Sequence, residues 1–415
     1  MTLKPALTLS PLLLCLLAGA ARADLAPYSF GASETIQHQS NIAHAADTDR
    51  QADWLSTTEF RAALDQALGR DELKAHGAVD LTRYKNIGAR NSTGYTAGTE
   101  FDWSVPGDLS GVLGAESRRR QYLYGLDSDT GQPTTARNME TDDHVYAHAQ
   151  LGGVGRWTIF SGFDGTRRRY SDPAFRGSDE RQWSANAGTR YATSPDLNFG
   201  LTFSYTHGEY PHLQQTIGVP VSQSFSLRSV GLSTSYHPGG STTLDATIGY
   251  TDQSTDIQSD RHFMNGSLDW TWTPPGHFQF AFGLARTSDA DTSANGSTAF
   301  NPDGINGRSV NNVAHGRVDY SLTAKVSLEL LGQYTQRRYT DALLPFVLGA
   351  SGPLYANGAN RTSQFVFSAH YQPTRNSDVS CGAGREVRHS DASIATLTPG
   401  YSDNTVQCTG SIDFK

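Results

Sequence analysis

The chain has 415 residues, 33 basic and 41 acidic, giving a formal net charge of −8 with only 18 % charged residues. Mean hydropathy is −0.47, and no stretch after the N-terminus approaches the roughly 20 consecutive apolar residues of a membrane helix. The 18 Phe, 18 Tyr and 6 Trp exclude a disordered chain, and the negative balance gives no general attraction for nucleic acid.

The first element in chain order is an address. Lys4 supplies a basic start, Leu7 to Leu17 is apolar, and Ala21-Arg22-Ala23 is a small-residue cleavage site. These features predict a signal peptide over residues 1–23, cut between Ala23 and Asp24, and a mature protein over 24–415. Cys15 lacks the small residue before it that lipidation requires.

From about residue 28 apolar and polar residues alternate. Leu197, Phe199, Leu201, Phe203 and Tyr205 alternate with Asn198, Gly200, Thr202, Ser204 and Thr206; Phe278, Phe280, Phe282 and Leu284 do the same. A period of two gives a strand one apolar and one polar face. Turn chemistry punctuates the pattern at 68–71, 105–108, 153–156, 193–196, 237–240, 273–276, 322–325 and 372–375. Longer polar connections fall at about 39–53, 86–91, 123–138, 171–179, 211–221, 255–261, 289–308, 340–360 and 390–400. Eight short turns alternating with nine longer loops predict 18 strands, with both termini on the short-turn side. The spacing of the turns is too irregular for propeller blades.

The fold expected is all-β: a single transmembrane, antiparallel, up-and-down β-barrel with short periplasmic turns and long extracellular loops. Closure leaves no unpaired edge in hydrocarbon. Trp103, Trp157, Trp183, Tyr205, Tyr236, Trp270, Trp272 and Tyr371 fall near strand ends, as interfacial girdles require. This places the protein in the outer membrane of a Gram-negative cell, both termini periplasmic, with outer-membrane lipid and lipopolysaccharide as partners.

Parity turns the polar set into the lumen, including Glu116, Asp164, Arg317, Asp319, Glu329, Glu386 and Arg388. Mixed charge on such a wall predicts cross-strand ion pairs. Strands rising to the longer loops end in Arg118-Arg119-Arg120-Gln121-Tyr122, Arg167-Arg168-Arg169-Tyr170 and Arg337-Arg338-Tyr339. Parity points Arg118, Arg120, Arg168 and Arg337 inward, with Tyr122, Tyr170 and Tyr339 above them. Two readings stand: a guanidinium and phenol rim that binds acidic or sugar ligands, or contact with anionic lipid headgroups and an aromatic girdle. The loops at 289–308 and 340–360 are long enough to fold inward and narrow a pore.

Cys381 and Cys408 flank the loop at 390–400 symmetrically and share a face, so a hairpin can bring them together as a disulfide in an oxidising compartment. No G-x-S-x-G, Walker A, CxxC or H-E-x-x-H sequence occurs. Neither an enzymatic activity nor a metal or cofactor is expected.

Tyr28 to Ile42, Tyr95 to Tyr122, Arg137 to Leu151, Leu201 to Leu213 and Asn404 to Phe414 resemble EpsL-type outer-membrane β-barrels of exosortase and exopolysaccharide loci. The resemblance spans nearly the whole mature chain; Lys415 after Phe414 departs from the aromatic ending common in barrels. It implies a non-enzymatic channel or accessory protein in exopolysaccharide biosynthesis or export. The partners it implies are exopolysaccharide and the polysaccharide-export machinery. The alternative from strand count and polar lumen alone is a general or solute-selective uptake porin.

Overall fold

The computed structural model describes residues 27–122, 137–153, 155–214, 220–256, 260–288, 308–343, 355–395 and 399–414. The expected signal segment and its Ala23/Asp24 junction lie outside them, as do the loops at 289–307 and 344–354. The strands are β1 (Tyr28–Gln39), β2 (Asp53–Leu68), β3 (Asp71–Tyr84), β4 (Ser92–Val105), β5 (Leu109–Gln121) and β6 (Met139–Leu151). β7 (Trp157–Tyr170), β8 (Glu180–Ser194), β9 (Leu197–Gln214), β10 (Pro220–Tyr236), β11 (Thr242–Thr255) and β12 (Arg261–Trp272) follow. β13 (Phe278–Ser288), β14 (Arg308–Ser321), β15 (Val326–Leu343), β16 (Tyr355–Thr374), β17 (Ser377–Ser390) and β18 (Tyr401–Phe414) complete the set.

Each strand pairs antiparallel with its neighbours in sequence, and β1 pairs with β18 from Phe30↔Phe414 to Gln39↔Thr405. The 18-stranded sheet is therefore a closed ring. All eight expected turns occur, and both described chain ends lie on the short-turn side. Gly69 turns one of them at φ 76°, a left-handed value that a β-carbon would strain. Two hairpins run further than the sequence suggests: β9–β10 reaches Gln214↔Pro220 and β15–β16 reaches Leu343↔Tyr355, each with a register shift. Ladder hydrogen bonds need only neighbouring backbone, so pairing continues where the apolar alternation has stopped.

The outward faces carry the apolar set: Phe60, Val79, Leu113, Val145, Phe203, Leu232, Ile248, Leu330 and Phe367 are all exposed. In water such a surface would be anomalous; in a bilayer it faces acyl chains. Aromatic pairs edge the band. Trp157–Tyr191 and Phe278–Tyr320, at 4.7 and 4.6 Å between ring centroids, sit near the short turns, and His38–Trp54 sits near the loops. Cys381 stands opposite Cys408, their sulfur atoms bonded across 27 residues of chain. Their row continues through Ile36 on the outward face. The buried groups, among them Asn41, Ile42, Arg90, Glu140, Tyr170, Ile394 and Tyr401, gather at the long-loop end.

Candidate conducting lumen

The strand parity that turns Phe60 outward turns its neighbours Glu59 and Arg61 inward, and the same rule fills the lumen with polar side chains. The densest stretch is β3–β7. β6 presents Glu140, Asp142, His144, Tyr146, His148 and Gln150 inward, every second residue without exception. Below the level of Asp80 and Arg118, this wall holds Glu72, Glu100, Asp102, Glu116 and Asp164 against one permanent cation, Lys74. Lys74 Nζ lies 2.6 Å from Asp102, 3.1 Å from Glu72 and 3.7 Å from Glu100. His144 and His148 converge on Asp164 at 3.3 and 3.1 Å. Across the lumen, Arg317 Nη2 lies 2.9 Å from Asp319 and 3.0 Å from Glu329. The expected cross-strand pairs therefore exist; being water-exposed, each contributes little to stability.

Several of these contacts skip a strand, and a glycine sits under each crossing. Arg61 on β2 passes over Gly31 on β1 to donate two hydrogen bonds to Asp413 on β18, at 2.9 and 2.8 Å. Tyr146 on β6 lies over Gly114 on β5, and its hydroxyl donates to Glu100 on β4 at 2.5 Å. His76 on β3 lies over Gly98 on β4 and reaches within 3.9 Å of Glu116 on β5. A β-carbon on Gly31, Gly98 or Gly114 would stand 2.2 to 2.5 Å from the nearest side-chain atom of the pair above it. Arg61–Asp413 also bridges the closing seam of the ring.

Near the short turns the lumen wall widens into a 590 Å³ recess lined by Asp102, Ser110, His148, Gln150, Asn186 and Arg190, among others. Phe160 lies flat there over Gly188, with the Arg190 guanidinium 4.7 Å above its ring.

The mouth differs from the sequence-based rim. Arg118, Arg120, Tyr122, Arg168 and Tyr170 do come together on β5–β7, but Arg337 and Tyr339 sit on β15, half-way round the ring. The arginines are engaged. Arg120 Nε and Nη2 donate to Glu140 Oε1 at 2.9 and 2.7 Å, and Tyr170 donates to Oε2 at 3.1 Å. Arg168 Nε donates to Asp142 at 2.8 Å and lies 3.9 Å from Glu180, while Arg118 is 3.9 Å from Asp142. Tyr122 and Tyr170 are buried against Phe175, with centroids 5.1 and 5.8 Å from Tyr122 to its two partners. Arg337 donates to Asn311 at 2.7 Å and Tyr339 accepts from Asn360 at 3.2 Å, both inside the wall. The expected stacking platform for sugars is thus corrected: Tyr122 and Tyr170 are buried against Phe175, which the sequence did not single out, and Tyr339 is buried beside Asn360.

Besides the turn that carries Phe175, the loop 40–52 folds into the mouth, with Asn41, Ile42 and Ala45 buried. His44 packs at a tilt against Tyr401, ring centroids 4.3 Å apart, and stands 3.6 Å from Asp403 and 3.9 Å from Glu386. Asp403 also accepts from Gln39, Ser40 and the Asn41 amide at 2.7, 3.0 and 2.8 Å. The Arg388 guanidinium lies 4.8 Å from the centroid of the Tyr401 ring. Asp47 in this loop accepts from the Ser402 hydroxyl and amide, which hold its carboxyl below the usual carboxylate range.

The partners Glu140, Asp142, His144, Tyr146 and His148 were readable as an unbroken period-two row on β6. Asp413, His44 and Asp403 carry no local signal, because closure of the ring and the path of a loop bring them into place.

No protein-family model matches the sequence, and no curated protein matches it. Among solved structures, the outer membrane protein OpdK from Pseudomonas aeruginosa superposes with a TM-score of 0.50 at 10 % identity, covering 93 % of this chain and 99 % of that one. OpdK with vanillate gives 0.51 at 11 % identity with the same coverage. Identity at this level speaks to fold alone. The chain is an 18-stranded β-barrel of the outer-membrane porin architecture.

Proposed function

We propose that this protein is a non-enzymatic outer-membrane channel that conducts small polar solutes and favours cations over anions. Short turns and both termini face the periplasm in this reading. The observation that carries it is the wall of β3–β7, where eight carboxylates face the lumen against four permanent cations, Lys74, Arg118, Arg120 and Arg168. A charged, low-dielectric wall focuses the field and concentrates counter-ions in the pore. The OpdK structure holds vanillate, an aromatic carboxylate; the acidic wall here argues for a substrate class of neutral or positive charge. Exopolysaccharide export, the role implied by the EpsL-type resemblance, finds less support, since Arg120 and Arg168 already pair with carboxylates and Arg337 with Asn311.

The test is reversal potential in planar bilayers under a potassium chloride gradient. Wild-type protein should prefer potassium, and Glu72→Gln, Glu100→Gln and Glu116→Gln combined should move the permeability ratio towards one. Absent conductance, or anion preference in the wild type, would reject the proposal.

A further inference from the structure

Each run of arginines splits between the two faces of the barrel. Arg118, Arg120 and Arg168 turn inward, so Arg119, Arg167 and Arg169 turn outward, where all three are exposed. Arg181 on β8 joins them, because it stands opposite Arg167. Arg119 and Arg169 both stand opposite Thr141 on β6. Four guanidinium groups thus occupy one outward patch across β5–β8, at the long-loop end of the band.

Two carboxylates share the patch. Asp143 takes Arg169 at 2.8 Å and Glu209 takes Arg181 at 3.4 Å. Among the described residues, Arg119 and Arg167 have no ion pair and no hydrogen bond to their side chains. Arg167 and Arg181 face each other directly, and like charges so placed on adjacent strands repel. Immediately below lie Val145, Phe163, Leu113 and Trp183, all exposed on the same face. A cationic cluster directly above an apolar and aromatic band matches an amphiphile whose anionic head lies at the arginine level and whose chains lie along the band.

We propose that Arg119, Arg167, Arg169 and Arg181 form a binding site for the phosphate groups of a lipid in the leaflet on the long-loop side. Guanidinium forks suit phosphate oxygens, and a multiply charged head offsets the Arg167–Arg181 repulsion. The site depends only on the barrel's lying in a membrane, so conductance and lipid binding stand or fall separately.

The experiment uses the folded protein in detergent with three probes: diphosphorylated lipid A, the same lipid with both phosphates removed, and inorganic phosphate. Lipid retained per barrel is read by native mass spectrometry. The phosphorylated lipid should bind about tenfold or more tighter than its dephosphorylated form. Combined Arg119→Gln, Arg167→Gln, Arg169→Gln and Arg181→Gln should abolish that difference. A control set with Arg286→Gln, Arg338→Gln, Arg361→Gln and Arg385→Gln, exposed on other strands, should keep it. Equal binding of both lipids to wild type overturns the site. So does an equal loss in the control set, which means a diffuse girdle, or capture of inorganic phosphate without lipid preference. Should the fourfold variant fail to fold, Arg119→Gln with Arg167→Gln removes the two side chains that hold nothing in the wall and carries the same test.

Discussion

Gly31 lies beneath the Arg61–Asp413 fork at the closing seam, and replacing it with alanine sets two effects against each other. The new β-carbon would stand 2.2 Å from Asp413 Oδ1 and 2.7 Å from Arg61 Nε, so the carboxylate must retreat by more than an ångström to reach ordinary contact. The two hydrogen bonds at 2.9 and 2.8 Å do not survive that shift. With both side chains partly exposed, the pair contributes up to about 1 kcal/mol. Against this, alanine is favoured over glycine within a strand by roughly 0.5–1 kcal/mol. Gly31→Ala alone should therefore be near neutral. In an Arg61→Ala background, where there is no fork to break, the same change should stabilise by about 0.5–1 kcal/mol. The coupling between the two positions should be about 1 kcal/mol, read from urea unfolding in lipid vesicles. Identical effects of Gly31→Ala in both backgrounds would refute the claim that this glycine is there to let Arg61 cross.

Removing the disulfide with Cys381→Ser and Cys408→Ser should destabilise by up to about 3.5 kcal/mol, the chain-entropy value for its 27-residue span. The variant's denaturant midpoint and the loss of a reduction-dependent gel shift check this. Arg120→Ala leaves the buried Glu140 carboxylate without its two strongest donors and should cost about 1–3 kcal/mol, with Arg120→Lys recovering part, measured as a thermal midpoint. Asp403→Ala withdraws the acceptor shared by Gln39, Ser40 and Asn41. Loop 40–52 should then become cleavable by added protease and single-channel conductance should rise.

Strand number, turn positions and the inward or outward sense of side chains were legible, because the barrel imposes a strict period of two and the turns carry glycine, proline and aspartate. Arg118, Arg120 and Arg168 point inward as parity requires. What parity cannot supply is the neighbour two strands away: Tyr146 meets Glu100 only because Gly114 intervenes, and that depends on register across three strands. The burial of Tyr122 and Tyr170 depends on Phe175 in the short 3₁₀ turn Pro173–Ser178, whose path over the mouth has no periodic signature. Arg119, Arg167 and Arg169 alternate with inward arginines in the same runs, so parity alone sends them outward, but the patch they share with Arg181 depends on register across four strands.

The glycines under the crossings also bear on the calibre of the pore. A side chain that lies flat on the wall takes little of the lumen's cross-section, whereas one propped up by a methyl group stands into the path of the solute. Glycine at positions such as 98, 114 and 188 therefore sets how far His76, Tyr146 and Phe160 protrude. Bore and charge are in this way separable properties of the lumen: exchanging glycine for alanine would narrow it while every ionisable group stays in place.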